Sequence, residues 1–189
     1  MKIIIEVSAR HAHLCQKDLN KLFGDGYKLH KLKQLSQKTD FTCKETVTIK
    51  TSQSEFKNVR IIGPLRDQTQ VEVSRTDSIK LGLNPPLRLS GYLVRTPGVT
   101  IIGPKGSVKL KEGVIIAQRH IHTDVENAEN YNLKNGQEVS VMVNYNNRGL
   151  TFHHVKIRVG LGYVLRMHID TDEGNAAGID KIGEGIIVE

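Results

Sequence analysis

The 189-residue sequence predicts a mainly β protein with two β-barrel domains, each capped by short α-helices. Three observations support this fold class. Short β-rich runs recur along the chain, bounded by Gly, Pro and Asn. Helical stretches are few and short. Strands and helices do not alternate as βαβ units, so we do not expect a Rossmann fold.

Each predicted strand is a short apolar or alternating run between turn residues. The first is the apolar stretch at the start of the chain, which is too short for the hydrophobic part of a signal peptide. In chain order, the predicted strands are Lys2–Val7, Glu45–Lys50, Asn58–Ile62, Gln70–Ser74, Val99–Ile102, Ser107–Leu110, Gly113–Ala117, Glu138–Val143, Val155–Val159 and Tyr163–Ile169. The predicted helices are Gln16–Phe23, Thr76–Leu81, Asp124–Tyr131 and Thr171–Ala177.

The two halves of the chain resemble each other, which predicts an internal duplication. An offset of 96 residues places Phe56 on Phe152 and Gly82 on Gly178. Both glycines follow a predicted helix, where a left-handed residue commonly ends the helix. The same offset places Glu72 on His168. Chance similarity between β-rich segments is the alternative explanation.

The motif Arg-His-x-His occurs twice, at residues 10–13 and 119–122. Side chains at positions i and i+2 of a strand project to the same face, so each pair of histidines can converge on one point. The duplication then supplies a third ligand for each pair. The two predicted metal sets are His11, His13 and Glu72, and His120, His122 and His168. Three histidines suit zinc, whereas the set with a carboxylate suits a higher coordination number.

The other histidines and the cysteines are assigned more ordinary roles. His30, His153 and His154 lack a matching third ligand and are expected to be surface residues. Cys15 continues the i+2 series from His13 and could be a soft ligand. It also corresponds to Asp124 at the start of a helix, which favours a cap-like or packing role.

Composition limits the function classes without choosing between them. No apolar run approaches the roughly 18 residues needed to cross a membrane. Two cysteines do not form a disulfide framework, so we expect a complete chain in the reducing cytoplasm. A net charge of +7 favours a polyanionic partner, which could be nucleic acid or a phosphorylated small molecule. A solubilising surface charge explains the same number.

The sequence resembles the PduL-type phosphotransacylases, the phosphate propanoyltransferase family. The similar blocks run nearly end to end, among them "VSARHAHL", "NVRIIGP", "QTQVEVSRTD", "EGVIIAQRHIH" and "MHIDTDEGNAAG". The resemblance implies reversible transfer of a short acyl group, acetyl or propanoyl, between coenzyme A and orthophosphate. It also implies two metal ions, usually zinc, held by the two sets above. The expected domains are 10–117 and 118–189, with strand 1–9 crossing into the second.

The resemblance also assigns roles to single residues. Arg66 in "GPLRDQTQ" matches the family's phosphate-binding arginine, and a guanidinium fits phosphate in bidentate fashion. The residues at coenzyme A contact positions are Ser8, Lys33, Arg60 and Asn175. Members packaged in microcompartments carry an extension before the first strand. Here that strand begins at Lys2, so we expect no targeting extension.

These expectations predict an enzyme that acts by direct attack of phosphate on the thioester. Its partners would be acyl-CoA and phosphate, without nucleic acid or a membrane, and a homodimer is compatible with this assignment. Two alternatives stay open. A dizinc hydrolase of a thioester or phosphoester would use the same ligands. A basic β-barrel that binds nucleic acid is disfavoured because the chain has five tyrosines, four phenylalanines and no tryptophan for base stacking.

Overall fold

The computed structural model describes residues 1–144 and 147–188. In chain order its strands are β1 (Lys2–Ser8), β2 (His11–His13), β3 (Lys31–Gln34), β4 (Phe41–Lys50), β5 (Glu55–Gly63), β6 (Gln70–Glu72), β7 (Leu87–Arg88), β8 (Thr100–Ile102), β9 (Ser107–Lys109), β10 (Val114–Ala117), β11 (His120–Thr123), β12 (Glu138–Val143), β13 (Leu150–Val159), β14 (Arg166–Asp170) and β15 (Ile182–Val188). The helices are α1 (Gln16–Phe23), α2 (Arg75–Lys80), α3 (Val125–Asn130) and α4 (Thr171–Ala177).

The chain forms two compact units. The barrel unit comprises residues 1–9, 36–38 and 118–189, and the sheet unit comprises residues 10–35 and 39–117. In the barrel unit six strands close in the order β1-β14-β11-β13-β12-β15. In the sheet unit the order is β7-β10-β6-β2-β5-β4-β8-β9, with β3 paired to β4, and the sheet curls into a half-barrel. The predicted mainly β class is therefore confirmed.

The strand registers agree with the predicted duplication. In the sheet unit β2 lies between β5 and β6, and His11 faces Arg60 on one side and Glu72 on the other. In the barrel unit β11 lies between β13 and β14, and His120 faces Lys156 and His168. The partners of the two histidines are related by the offset of 96 residues found in the sequence.

Each unit has an aliphatic core. Alternate side chains of β1, β12, β13 and β14 fill the barrel, with Ile5, Val141, Ile157 and Met167 fully buried. In the sheet unit, β4 and β5 pack their inward side chains against Leu19 and Leu22 of α1. The helix covers this core because Leu19, Leu22 and Phe23 recur at helical spacing. Ala12 of β2 and Ile121 of β11 belong to these cores, which anchors both strands that carry a His-x-His pair.

The two predicted helix-ending glycines have the expected backbone. Gly82 has φ +67° after α2, and Gly178 has φ +70° at the end of α4. Both angles lie in the left-handed region, which costs a side-chain-bearing residue free energy. The four predicted helices are all present, within one residue of their predicted limits.

Some strand predictions were wrong. The predicted strand Tyr163–Ile169 begins only at Arg166, because Leu161 and Gly162 form a turn before it. Strand β15 was missed altogether, although it closes the barrel between β1 and β12. Two glycines interrupt the apolar alternation that would mark this strand in the sequence. They are required by packing, because a Cβ at Gly183 would lie 2.7 Å from Ile179 and one at Gly185 would lie 2.6 Å from Val141.

Within the described part of the chain, we find no helix that combines the length and the apolar character needed to cross a bilayer.

Candidate metal centres

The first candidate centre lies in the sheet unit, where β2 pairs with β6. His11 and Glu72 are directly opposite each other in the antiparallel register. Nε2 of His11 lies 3.5 Å from Oε2 of Glu72, and Nε2 of His13 lies 3.8 Å from Oε1. One ligand atom from each of the three residues lies within 4.8 Å of the others. Among the described residues, His11, His13 and Glu72 are the three potential ligands that come within this distance of one another.

The imidazole of His13 is oriented by the backbone. Its Nδ1 lies 3.1 Å from the carbonyl oxygen of Ile62, and a carbonyl can only accept, so Nδ1 donates. Nε2 then carries the lone pair and faces Glu72. Burial, followed by the neighbouring His11 and Arg66, lowers the pKa of His13 to about 3. The ring is therefore neutral near pH 7, as a metal ligand must be.

Glu72 is held as a carboxylate by a polar network. Its Oε1 accepts hydrogen bonds from Ser90 Oγ at 2.9 Å and from Gln70 Nε2 at 2.6 Å. Burial alone would raise the pKa of Glu72. The nearby His11 and His13, the Ser90 hydrogen bond and Arg66 together lower the pKa to about 2. The carboxylate is therefore ionised over the whole physiological pH range.

This donor set fits a divalent metal ion. It combines a buried neutral imidazole, whose second nitrogen is already bonded to the backbone, with an ionised carboxylate and a second imidazole. Hydrogen bonds from second-layer groups to metal-binding histidines and carboxylates fix their orientation in known sites. Ile62, Ser90 and Gln70 supply such bonds here.

The second candidate centre lies in the barrel unit, where β11 pairs with β14. The ring centroids of His120 and His122 are 4.6 Å apart, and those of His168 lie 5.3 Å from His120 and 5.1 Å from His122. Nδ1 of His120 donates to the carbonyl oxygen of Gln118 at 2.8 Å, so its Nε2 carries the lone pair. Tyr163 packs on His122 with ring centroids 4.3 Å apart.

Groups from β1 and from segment 36–38 surround His168. Oε2 of Glu6 lies 3.9 Å from Nδ1 of His168 and accepts a hydrogen bond from Ser36 Oγ at 2.6 Å. The buried Gln37 donates to the carbonyl of Val164 at 2.9 Å and accepts from its amide at 2.9 Å. The amide nitrogen of Gln37 is 3.5 Å from Nε2 of His168. A carboxylate beside a ligating histidine is a common supporting arrangement.

Arg66 lies next to the first centre. Its Nη1 donates to Ser90 Oγ at 2.7 Å, so one hydroxyl bonds both Arg66 and Glu72. Arg66 lines a cavity of about 450 Å³. The other lining residues are Leu65, Asp67, Gln68, Gln70, Gly91 and Leu93. The cavity thus has one cationic and one acidic side chain, two amides and two leucines, and its volume suits a small ligand.

The residues at coenzyme A positions are divided between the units. Lys33 is exposed on β3, and Arg60 lies half-buried on β5 in the sheet unit. Nη1 of Arg60 donates to the carbonyl oxygens of Cys43 and Lys44 at 3.0 and 2.8 Å. Ser8 ends β1, and Asn175 is exposed on α4, both in the barrel unit. Their contact with coenzyme A stays a prediction.

The sequence reasoning missed several supporting residues. Ser90 and Gln37 have no spacing that marks them, because loops bring them to the ligands. Gln70 lies two residues before Glu72 on β6, so the two side chains share one face of the strand. His30 lies at the surface, as expected, and its Nδ1 lies 2.6 Å from the buried carboxylate of Glu45. His153 and His154 are exposed as expected. Cys15 occupies the position before α1 without a side-chain capping bond.

Comparisons with known proteins identify the family of the chain. The family model for phosphate propanoyltransferase matches residues 4–180. A phosphate propanoyltransferase of Thermotoga maritima is 50% identical over 175 residues, which cover 93% of this chain and 83% of the relative. Relatives of the same name from Rhodopseudomonas palustris and Priestia megaterium are 47% and 50% identical, over 93% and 96% of this chain and 77% and 83% of their own lengths.

These matches establish the chain as an acyltransferase enzyme. It belongs to the phosphate propanoyltransferase family, which confirms the resemblance found in the sequence.

Proposed function

We propose that the protein transfers a short acyl group, propanoyl or acetyl, reversibly between coenzyme A and orthophosphate. The family match supports the phosphate acyltransferase class. The observation that carries the proposal is the network that joins Arg66, through the hydroxyl of Ser90, to the ionised carboxylate of Glu72 and its two histidines. Arg66, the proposed anion-binding group, therefore lies next to a candidate metal centre in the sheet unit.

The proposal includes two divalent metal ions, one for each ligand set. Three imidazoles, from His120, His122 and His168, form a donor set typical of zinc. The set of His11, His13 and Glu72 adds a carboxylate and suits zinc or a metal with more ligands. When bound, such a metal supplies Lewis acidity, which stabilises the thiolate that leaves as coenzyme A.

Arg66 is proposed to hold the phosphate. Its guanidinium keeps a positive charge at every physiological pH and matches two phosphate oxygens at once. The hydrogen bond to Ser90 fixes the orientation of the guanidinium at the cavity wall. In the same cavity, Leu65 and Leu93 offer an apolar surface for a short acyl chain.

The proposed reaction is a single displacement. A phosphate oxygen attacks the carbonyl carbon of the thioester, the new C–O bond forms, and the C–S bond breaks with its electron pair on sulfur. The thiolate then takes a proton from solvent. Positioning of phosphate by Arg66 reduces the entropic cost of bringing the two substrates together.

The properties of Cys43 support direct attack over a covalent acyl-enzyme at that residue. Its side chain is fully buried, and burial, followed by the nearby Glu45, raises the pKa of the thiol to about 11. A thiol that stays protonated is a weak nucleophile. The acyl group is therefore proposed to pass from sulfur to phosphate without resting on this cysteine.

Coenzyme A release tests the proposed function. Zinc-loaded protein is incubated with propanoyl-CoA or acetyl-CoA, with and without phosphate, and both free thiol and acyl phosphate are measured. We expect thiol release that depends on phosphate and an equal yield of acyl phosphate. Release of free acid at the same rate without phosphate would show a hydrolase instead. The ratio of the two acyl substrates gives the chain-length preference.

A further inference from the structure

The arginine before each His-x-His pair makes a specific ion pair in the structure. Nε of Arg10 donates to Oδ2 of Asp77 at 2.8 Å, and Nη2 donates to Oδ1 at 2.6 Å. This bidentate pair is the strongest geometry available to arginine and a carboxylate. The side chain of Asp77 is 7% exposed, whereas that of Arg10 is 40% exposed. The pair therefore covers a buried carboxylate.

Asp77 belongs to the helix that follows the third ligand. Glu72 ends β6, Ser74 caps α2 by accepting from the amide of Asp77 at 3.2 Å, and Asp77 is the third residue of the helix. Arg10 directly precedes β2. The ion pair thus joins the start of the strand that carries two ligands to the first turn of the helix that follows the strand with the third.

The same arginine also contacts the strand on the other side of β2. Its guanidinium lies 4.2 Å from the ring centroid of Phe56 on β5, which is the parallel partner of β2. A guanidinium over an aromatic face is held by cation–π attraction. Arg10 therefore contacts both β5 and the start of α2, on either side of the histidine strand.

The barrel unit repeats this arrangement. Nη1 of Arg119 donates to Oε1 of Glu173 at 2.7 Å, and the guanidinium lies 5.5 Å from the ring centroid of Phe152 on β13. Glu173 is the third residue of α4, and its Oε2 accepts from the amide of Asp170 at 3.0 Å. Glu173 and Phe152 correspond to Asp77 and Phe56 at the offset of 96 residues.

We infer that Arg10 and Arg119 are positioning residues, each for the metal centre of its own unit. They contact neither a substrate nor a ligand atom in this role. Each one fixes the β-strand that carries two ligands relative to the helix that follows the strand with the third. The inference rests on the proposed function, because it assumes that the two ligand sets bind metal.

The acidic partner explains why the position needs an arginine. A guanidinium satisfies both oxygens of Asp77 in one plane while it covers the ring of Phe56. Glutamine would remove the charge and leave the buried carboxylate unpaired, so the β6–α2 junction would have to rearrange. Because Glu72 lies in that junction, its distance from His11 would change. Metal affinity depends steeply on such distances.

The experiment measures zinc affinity at one centre at a time, by competition with a chromogenic chelator. A His120→Ala/His122→Ala protein retains the first set, and a His11→Ala/His13→Ala protein retains the second. Arg10→Gln is introduced into both backgrounds. We expect its zinc Kd to rise by about tenfold or more in the first background, as for other supporting residues of metal sites. In the second background the Kd should be unchanged.

Arg119→Gln should show the reverse pattern, and two other arginines provide controls. Arg75 lies on α2 and donates to Asn84, and Arg148 donates to the carbonyl of Ala176, so neither of these bonds involves an ion-pair residue. Arg75→Gln and Arg148→Gln remove the same charge and should leave both zinc Kd values unchanged.

The outcomes separate this inference from the proposed function. If the parent proteins bind zinc and Arg10→Gln binds it as tightly as Arg75→Gln does, the positioning role is overturned, even if Arg10→Gln melts earlier. If neither parent binds zinc, the metal centres fail and the inference fails with them. Should Arg10→Gln not fold, Arg10→Lys keeps the charge without the two-point geometry, and an unchanged Kd in that variant would equally overturn the role.

Discussion

Removal of the Ser90 hydroxyl tests the network that joins Arg66 to Glu72. This single Oγ donates to Glu72 Oε1 at 2.9 Å and accepts from Arg66 Nη1 at 2.7 Å and Gln70 Nε2 at 2.8 Å. In Ser90→Ala all three bonds are lost, while the side chain keeps its Cβ. We expect phosphate use to suffer most, because Arg66 loses the group that orients it.

The magnitude follows from what remains after the substitution. A hydrogen bond to a charged group contributes about 1.5–3 kcal/mol net. The two bonds of Ser90 to Glu72 and Arg66 therefore set the upper limit of the expected loss. Glu72 keeps the bond from Gln70 at 2.6 Å, and Arg66 is half-buried, so water can replace part of the loss. We therefore expect a loss of about 2 kcal/mol, which is about a 30-fold fall in kcat/KM for phosphate.

Initial rates of coenzyme A release give this number when phosphate is varied at saturating propanoyl-CoA. The control is Ser140→Ala, which removes a hydroxyl 2.9 Å from Nδ1 of the exposed His153 and should leave kcat/KM unchanged. A value for Ser90→Ala within threefold of the unsubstituted enzyme would refute the reasoning. So would an equal loss for phosphate and for propanoyl-CoA, because it would indicate a general disturbance.

Three further predictions concern the second centre and the stability of the fold. His120→Ala should abolish acyl transfer and remove one equivalent of zinc by elemental analysis; full activity would contradict the assignment. Burial raises the pKa of the Cys43 thiol from 9.0 to about 11. Between about pH 9 and about pH 11 only the unfolded thiol ionises, so the free energy of unfolding should fall as pH rises through this range. Urea unfolding over the same pH range should show a smaller fall in the free energy of unfolding for Cys43→Ala. An equal fall in both proteins would exclude ionisation of Cys43 as the cause. Gly178→Ala should cost about 1 kcal/mol because its φ is +70°. Gly149→Ala, where a Cβ would lie 3.4 Å from Oδ1 of Asn144, its nearest neighbour among the described residues, should cost less than about 0.5 kcal/mol. An equal cost for both variants would contradict the argument.

The candidate ligands could be predicted because their spacing is local. Alternation along a strand places His11 and His13 on one side wherever the strand lies. The duplication then identified the third member of each set, because both copies keep the same register. Glu72 and His168 are indeed the residues that face His11 and His120 across the antiparallel pairs.

The supporting groups could not be predicted in the same way. Ser90 reaches Glu72 across 18 residues of chain, and Gln37 reaches Val164 across 127 residues. No periodicity connects such positions, since loops set their separation. Strand β15 was missed for a related reason: tight packing against Ile179 and Val141 requires glycines, and glycines remove the apolar alternation that marks a strand.

The sequence by itself determined the fold class, the family and the identity of six potential ligands, because these depend on residue type and on spacing within single strands. Only the tertiary structure decided how closely those ligands approach and which protonation states His13 and Glu72 hold. Burial keeps His13 neutral, while nearby positive charge and hydrogen bonds keep Glu72 ionised. Both effects depend on neighbours that are distant in the chain, because free energies of solvation and of charge interaction depend on separation in space.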